Sequence, residues 1–98
     1  MYRVLRFTPA AAEKVTLLLH DDVVSRQSVT ARDAKSLGLA GNDRYVLVEG
    51  SDAALARALE LTKGIAEPVS GTDADRIYRQ FRSQDDDAAS GMGLIFGP

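Results

Sequence analysis

Residues 44–64 read Arg44-Tyr45-Val46-Leu47-Val48-Glu49-Gly50, then Ser51-Asp52-Ala53-Ala54-Leu55-Ala56-Arg57-Ala58-Leu59-Glu60-Leu61-Thr62-Lys63-Gly64. Tyr45, Val46, Leu47 and Val48 are bulky and apolar on both parities of an extended chain. A strand of that kind is buried on both faces and belongs in the middle of a sheet. Gly50 ends it. The Ser51 hydroxyl is placed to cap the first free N–H groups of a helix, and Asp52 sits beside the positive end of the helix dipole. Ala54, Leu55, Ala58, Leu59, Leu61, Thr62 and Ile65 then recur in three- and four-residue steps, which is one apolar stripe. Arg57, Glu60 and Lys63 take the other side. Lys63-Gly64 is a stop signal, with glycine free to take the left-handed cap. A strand that runs at once into an amphipathic helix folds that helix back over the sheet.

On the N-terminal side, Tyr2 to Phe7 reads as a second strand, with Tyr2, Val4 and Arg6 on one face and Arg3, Leu5 and Phe7 on the other. Thr8-Pro9 opens a helix whose buried stripe is Ala11, Ala12, Val15, Leu18 and Leu19. His20-Asp21-Asp22 is a turn. Val23 to Val29 reads as a polar, edge-type strand, and Thr30 to Asp33 resembles a capping box that starts a short helix ending at Gly38. On the C-terminal side, Ile65 to Ser70 contains Pro68, which cannot donate to a ladder and so marks an edge strand. Thr72 to Asp75 opens a last helix, with Ala74, Ile77, Tyr78 and Phe81 at helical spacing to about Gln84. Asp85 to Ser90 reads as a loop. The organisation is therefore one domain over residues 1–90 and an apolar tail over 91–98.

Composition narrows the function classes. The formal charge is −2, which argues against a sequence-blind nucleic-acid binder but leaves room for a local basic patch. With no cysteine and one histidine, disulfides, thiolate catalysis and the usual zinc sites are not expected, and no cofactor is. The apolar run Val15 to Leu19 is too short for a signal peptide, and nothing approaches a membrane span, so the expected location is the cytoplasm, without membrane contact.

Two architectures fit this order of elements. The favoured one is α+β, a ferredoxin-like two-layer sandwich. It has an antiparallel four-stranded sheet in order 4-1-3-2, helices on one face, and an extra C-terminal helix and apolar tail. It places the two Val/Leu-rich strands centrally and the polar and Pro68 strands at the edges. A small doubly wound parallel sheet is the alternative, but it needs apolar runs in several strands, and only Tyr45 to Val48 supplies one. Length and expected fold are similar to those of acylphosphatases, whose motif is a glycine-rich loop with a basic residue after the first strand. Here Arg6-Phe7-Thr8-Pro9 occupies that place, and the activity is not assigned.

The candidate ligand-binding residues are Tyr2, Arg6 and Tyr45, on the central strands, and Arg76, Arg79 and Arg82 on the last helix. Aromatic side chains on a central strand pair are how RNA-recognition sheets stack bases, although the RNP1 glycine and second aromatic are missing from residues 44–49. An arginine row suits phosphates, but Asp73 and Asp75 lie close to it, and Asp75 and Arg79 are spaced as a helix ion pair. Packing beneath the last helix or in a dimer interface, and a solvated helix face, are the plainer readings of these two groups. His20-Asp21-Asp22 and Asp85-Asp86-Asp87 are consecutive and lack the alternate spacing of metal loops. No catalytic residue and no metal ligand stand out. Leu94, Ile95 and Phe96 are the candidate partner-binding residues, a segment able to add a strand to an open sheet edge, of this chain or a neighbour. The expected function is a small non-catalytic binding or self-associating domain whose partner is itself, as a homo-oligomer, or another protein. The alternative is an RNA- or nucleotide-binding module that uses the open sheet face.

Overall fold

The computed structural model describes the backbone of residues 1–96 and the side chains of residues 1–83. Residues 97 and 98 and the side chains from 84 onward lie outside the described residues, and with them the side chains of Leu94, Ile95 and Phe96. Four strands form one antiparallel sheet: β1 (Tyr2–Phe7), β2 (Ser28–Asp33), β3 (Arg44–Glu49) and β4 (Glu67–Val69). Their order is β2-β3-β1-β4. The helices are α1 (Thr16–Leu19), α2 (Asp52–Leu61) and α3 (Gly71–Phe96), with shorter 3-10 turns at Pro9–Val15, Val24–Arg26 and Lys35–Leu37. The antiparallel pairing excludes the doubly wound sheet.

Each sheet face has its own core. Leu5, Phe7, Val46 and Val48 meet Val15, Leu18, Val24, Leu55 and Ala58 on the side of α1 and α2. Val4, Tyr45 and Leu47 meet Ile77 and Phe81 of α3, together with Ala34 and Leu37. Val46 and Leu47 are therefore both buried, as a strand with apolar residues on both parities requires. The cap of α2 forms as its sequence implies: the Ala54 N–H donates to Ser51 Oγ at 3.2 Å. Gly64 takes φ 78° beyond the end of that helix, in the left-handed region where a side chain would be strained.

Four local readings are corrected. The strand expected at Val23 begins instead at Ser28, because the Asp21 carboxylate accepts from the N–H groups of Val23 and Val24, at 3.1 and 3.0 Å, and winds Val24–Arg26 into a turn. The helix expected at Ala31 is strand, since Ala31, Arg32 and Asp33 pair with Val46, Tyr45 and Arg44, and a long-range ladder outweighs a weak local cap. The segment after Pro9 is mostly 3-10 rather than α, and Leu19 points outward. The loop expected at 85–90 is helix, because no glycine or proline interrupts residues 72–90 and nothing there breaks α3.

Candidate functional site

The sheet face that carries the candidate ligand-binding residues is the one beneath α3. Tyr2, Val4 and Arg6 of β1 lie opposite Glu49, Leu47 and Tyr45 of β3 in the pairing register. Ala74, Ile77 and Phe81 are buried against this face. Tyr45 is only 7% exposed. It therefore offers no platform for a base while α3 is seated.

Five of the six candidates separate to the two flanks of α3, and Arg79 is exposed on the helix. On one flank, Tyr2 stacks on Tyr78 with ring centroids 4.1 Å apart and planes 11° from parallel. The Tyr2 hydroxyl donates to Asp75 at 2.6 Å. The Tyr78 hydroxyl lies 3.4 Å from the Glu49 carboxylate and accepts from Arg82 Nε at 3.0 Å. The Arg82 guanidinium also lies 3.6 Å from Glu49. The hydrogen bond to Asp75 is the main force pushing the Tyr2 phenol above its ordinary value, with partial burial and the Asp75 charge adding to it. Hydrogen bonds at this flank thus join both ends of the helix's first turns to β1 and β3.

On the other flank, Arg6, Tyr45 and Arg76 line a cleft of about 150 Å³ with Leu39, Val69, Asp73 and Ile77. That is below the roughly 300–1,000 Å³ of ordinary ligand pockets. Its cations already have anions beside them. Arg6 is paired with Glu67 and lies 3.8 Å from Asp43, and the hydrogen bond to Glu67 raises the Arg6 pKa further. Arg76 is 3.2 Å from Asp73. A phosphate entering here would meet three carboxylates along with the two guanidinium groups.

The arginine row splays rather than converging. Three residues of α-helix turn through about 300°, so each step drifts back by about 60°, and Arg76 and Arg82 end about 120° apart around the axis. Ile77 and Phe81 lie on the wider, sheet-facing arc between them, and the exposed Arg79 lies on the narrower one. The expected Asp75–Arg79 pair does not form; Asp75 turns to Tyr2 instead. Residues missed in the sequence are Glu49, Asp75 and Tyr78. The signal for Glu49 was its shared parity with Tyr45, and for Asp75 and Tyr78 their three-residue spacing beside the apolar stripe.

Larger hollows than this cleft include two of note. One of about 370 Å³ is lined by Tyr2, Val4, Val69, Gly71 and Asp75, among others. The second, about 550 Å³, runs past Leu59, Thr62, Lys63, Gly64 and Pro68. Neither gathers the convergent acid, base and nucleophile of a catalytic centre. His20 caps the C-terminus of α1, its N–H donating to the Thr16 carbonyl at 2.9 Å. Among the described residues there is no group of three or more acidic or histidine side chains set to hold a metal ion. No described helix is long and apolar enough to cross a membrane. No protein-family model matches the chain, and comparisons with curated proteins and with solved structures returned no match.

Proposed function

We propose that this chain is a small, non-catalytic, cytoplasmic binding or self-associating domain on a ferredoxin-like frame. One observation carries the reading: among the described residues, β2 is a six-residue strand bonded to β3 on one side and to no strand on the other. An open strand edge is a ready template for another chain. The charged groups on the covered sheet face support the same reading, since they are matched with one another rather than gathered toward a substrate. The βαββαβ order with antiparallel neighbours supports the ferredoxin-like frame, to which α3 adds a third layer.

The test is an NMR titration of labelled protein, first over its own concentration and then with a mixed single-stranded RNA pool at low and high salt. The reading expects concentration-dependent or partner-dependent shifts along a sheet edge and none with RNA. Salt-sensitive shifts at Tyr2, Arg6 and Tyr45 on adding RNA refute it. They would require α3 to lift from the sheet and would make the protein a nucleic-acid module.

A further inference from the structure

We infer that the outer edge of β2 is the seam of a symmetric homodimer, pairing antiparallel with β2 of a second copy. This rests on the reading of the chain as a binding or self-associating domain and names its partner. The two edges of the sheet differ in what they can offer. In antiparallel pairs, alternate residues turn both backbone groups toward one neighbour. The Ala34 N–H donates to the Asp43 carbonyl at 2.9 Å, just beyond the β2–β3 ladder. Even-numbered residues of β2 therefore face β3, and Val29, Ala31 and Asp33 turn N–H and C=O outward.

The same parity argument closes the opposite edge. The Gly50 N–H donates to the Met1 carbonyl at 3.1 Å, so odd residues of β1 face β3, and Val4 and Arg6 face β4. Their partners Val69 and Glu67 point inward, which leaves Pro68 on the outside of β4. Proline has no N–H, so that edge cannot extend a ladder. Among the described strands, β2 is the edge that presents donors and acceptors in alternation.

Charge along β2 decides the register in which a second copy fits. A two-fold axis normal to the sheet sets residues of equal parity opposite one another. Placed through Arg32 or Asp33, it opposes like charges; through Val29, it opposes Arg32 to Arg26. Placed through Ala31, it sets the Asp33 carboxylate against Val29 on the apolar side. Placed through Thr30, it sets Thr30 against Thr30, Val29 against Ala31, and Arg32 against Ser28. No like charges meet, and the half-buried Val29 and Ala31 extend the core they already pack on. A second copy thus fits this edge without a clash.

The free edge carries its own guard. Arg32 Nη1 donates to the Ala31 carbonyl at 2.8 Å, so the chain's own guanidinium occupies one outward acceptor. Pairing displaces that contact, which weakens the dimer and makes it concentration-dependent.

Sedimentation velocity over about 10 μM to 1 mM spans the range in which a small interface fills. The wild-type mass should rise from 10.5 kDa toward twice that value. Ala31→Pro removes an outward N–H from each copy and leaves the β2–β3 bonds in place, so it should weaken association about tenfold or more. Arg32→Ser uncovers the Ala31 carbonyl and should strengthen association. Circular dichroism confirms that both variants fold. A wild-type monomer throughout overturns the homodimer. A dimer indifferent to both substitutions overturns the β2 seam but leaves the self-associating reading standing. RNA-induced shifts at Tyr2 and Tyr45 would instead remove that reading.

Discussion

Phe81→Ala asks whether α3 is a structural layer of the sheet or an appendage. Phe81 is 3% exposed and packs with Val4, Leu37, Tyr45, Leu47 and Ile77. Truncating a buried phenylalanine to alanine costs about 3–5 kcal/mol, from lost transfer energy and the cavity left behind. A domain of this size has roughly 5–15 kcal/mol in total. The other apolar anchors of α3 are smaller: Ala74, Ile77 and the Tyr2–Tyr78 stack, the last worth about 0.5–1.5 kcal/mol beyond its buried area. The variant should thus lose about 3 kcal/mol in urea unfolding followed by far-ultraviolet circular dichroism. If helix and sheet unfold as one unit, the urea dependence stays unchanged. Phe81→Leu should lose only about 1 kcal/mol, because most of the volume is kept. A loss below about 1 kcal/mol for Phe81→Ala would refute the packing of α3 on β1 and β3. A normal midpoint with a shallower slope would mean that α3 comes off before the sheet unfolds.

Three further outcomes are expected. Ser51→Ala removes the cap of α2 and should lower stability by about 1 kcal/mol in the same urea experiment, with Ser51→Asp restoring it. The Asp21 carboxylate is held below its ordinary range first by the hydrogen bond from Arg57 and then by the Val24 N–H. A lowered folded-state value adds stability that is full above about pH 5 and is lost as pH falls through about 4 and below, so Asp21→Asn should flatten the acid limb of thermal midpoint against pH. The Tyr2 phenol is raised, so its contribution is intact below about pH 10 and lost as pH rises beyond that. Asp75→Asn should bring the late-titrating phenol, followed by ultraviolet absorbance, to lower pH.

Much of the frame was legible because it is written in local chemistry. Tyr45 to Val48 announced a strand buried on both faces, and Ser51 with the stripe from Ala54 announced the helix after it. Pro68 marked one edge, while the polar strand expected at Val23 to Val29 shares only Ser28 and Val29 with the strand that forms the other. What misled the reading was also local. Thr30 to Asp33 carries a plausible helix start, and only the partner strand at Arg44 to Val46 shows that these residues are worth more extended. Val23 to Gln27 reads as part of a polar strand until the Asp21 side chain bonds its backbone, and Asp21 is itself held 3.0 Å from Arg57 of α2.

The candidate site was legible as a set of residues but not as a place. Strand parity correctly put Tyr2, Arg6 and Tyr45 on one face. It could not say that α3 would cover that face, since a helix with one apolar stripe packs equally well on any apolar surface. The arginine spacing looked like a row until about 60° of drift per step sent Arg76 and Arg82 to opposite flanks. The central strand, the helix after it and the cap of that helix follow from residues within a few positions of one another, and the chain determines them alone. Which face α3 closes, which carboxylate each arginine meets and which edge stays open depend on groups tens of residues apart in sequence. Those were decided only when the sheet brought them within bonding distance.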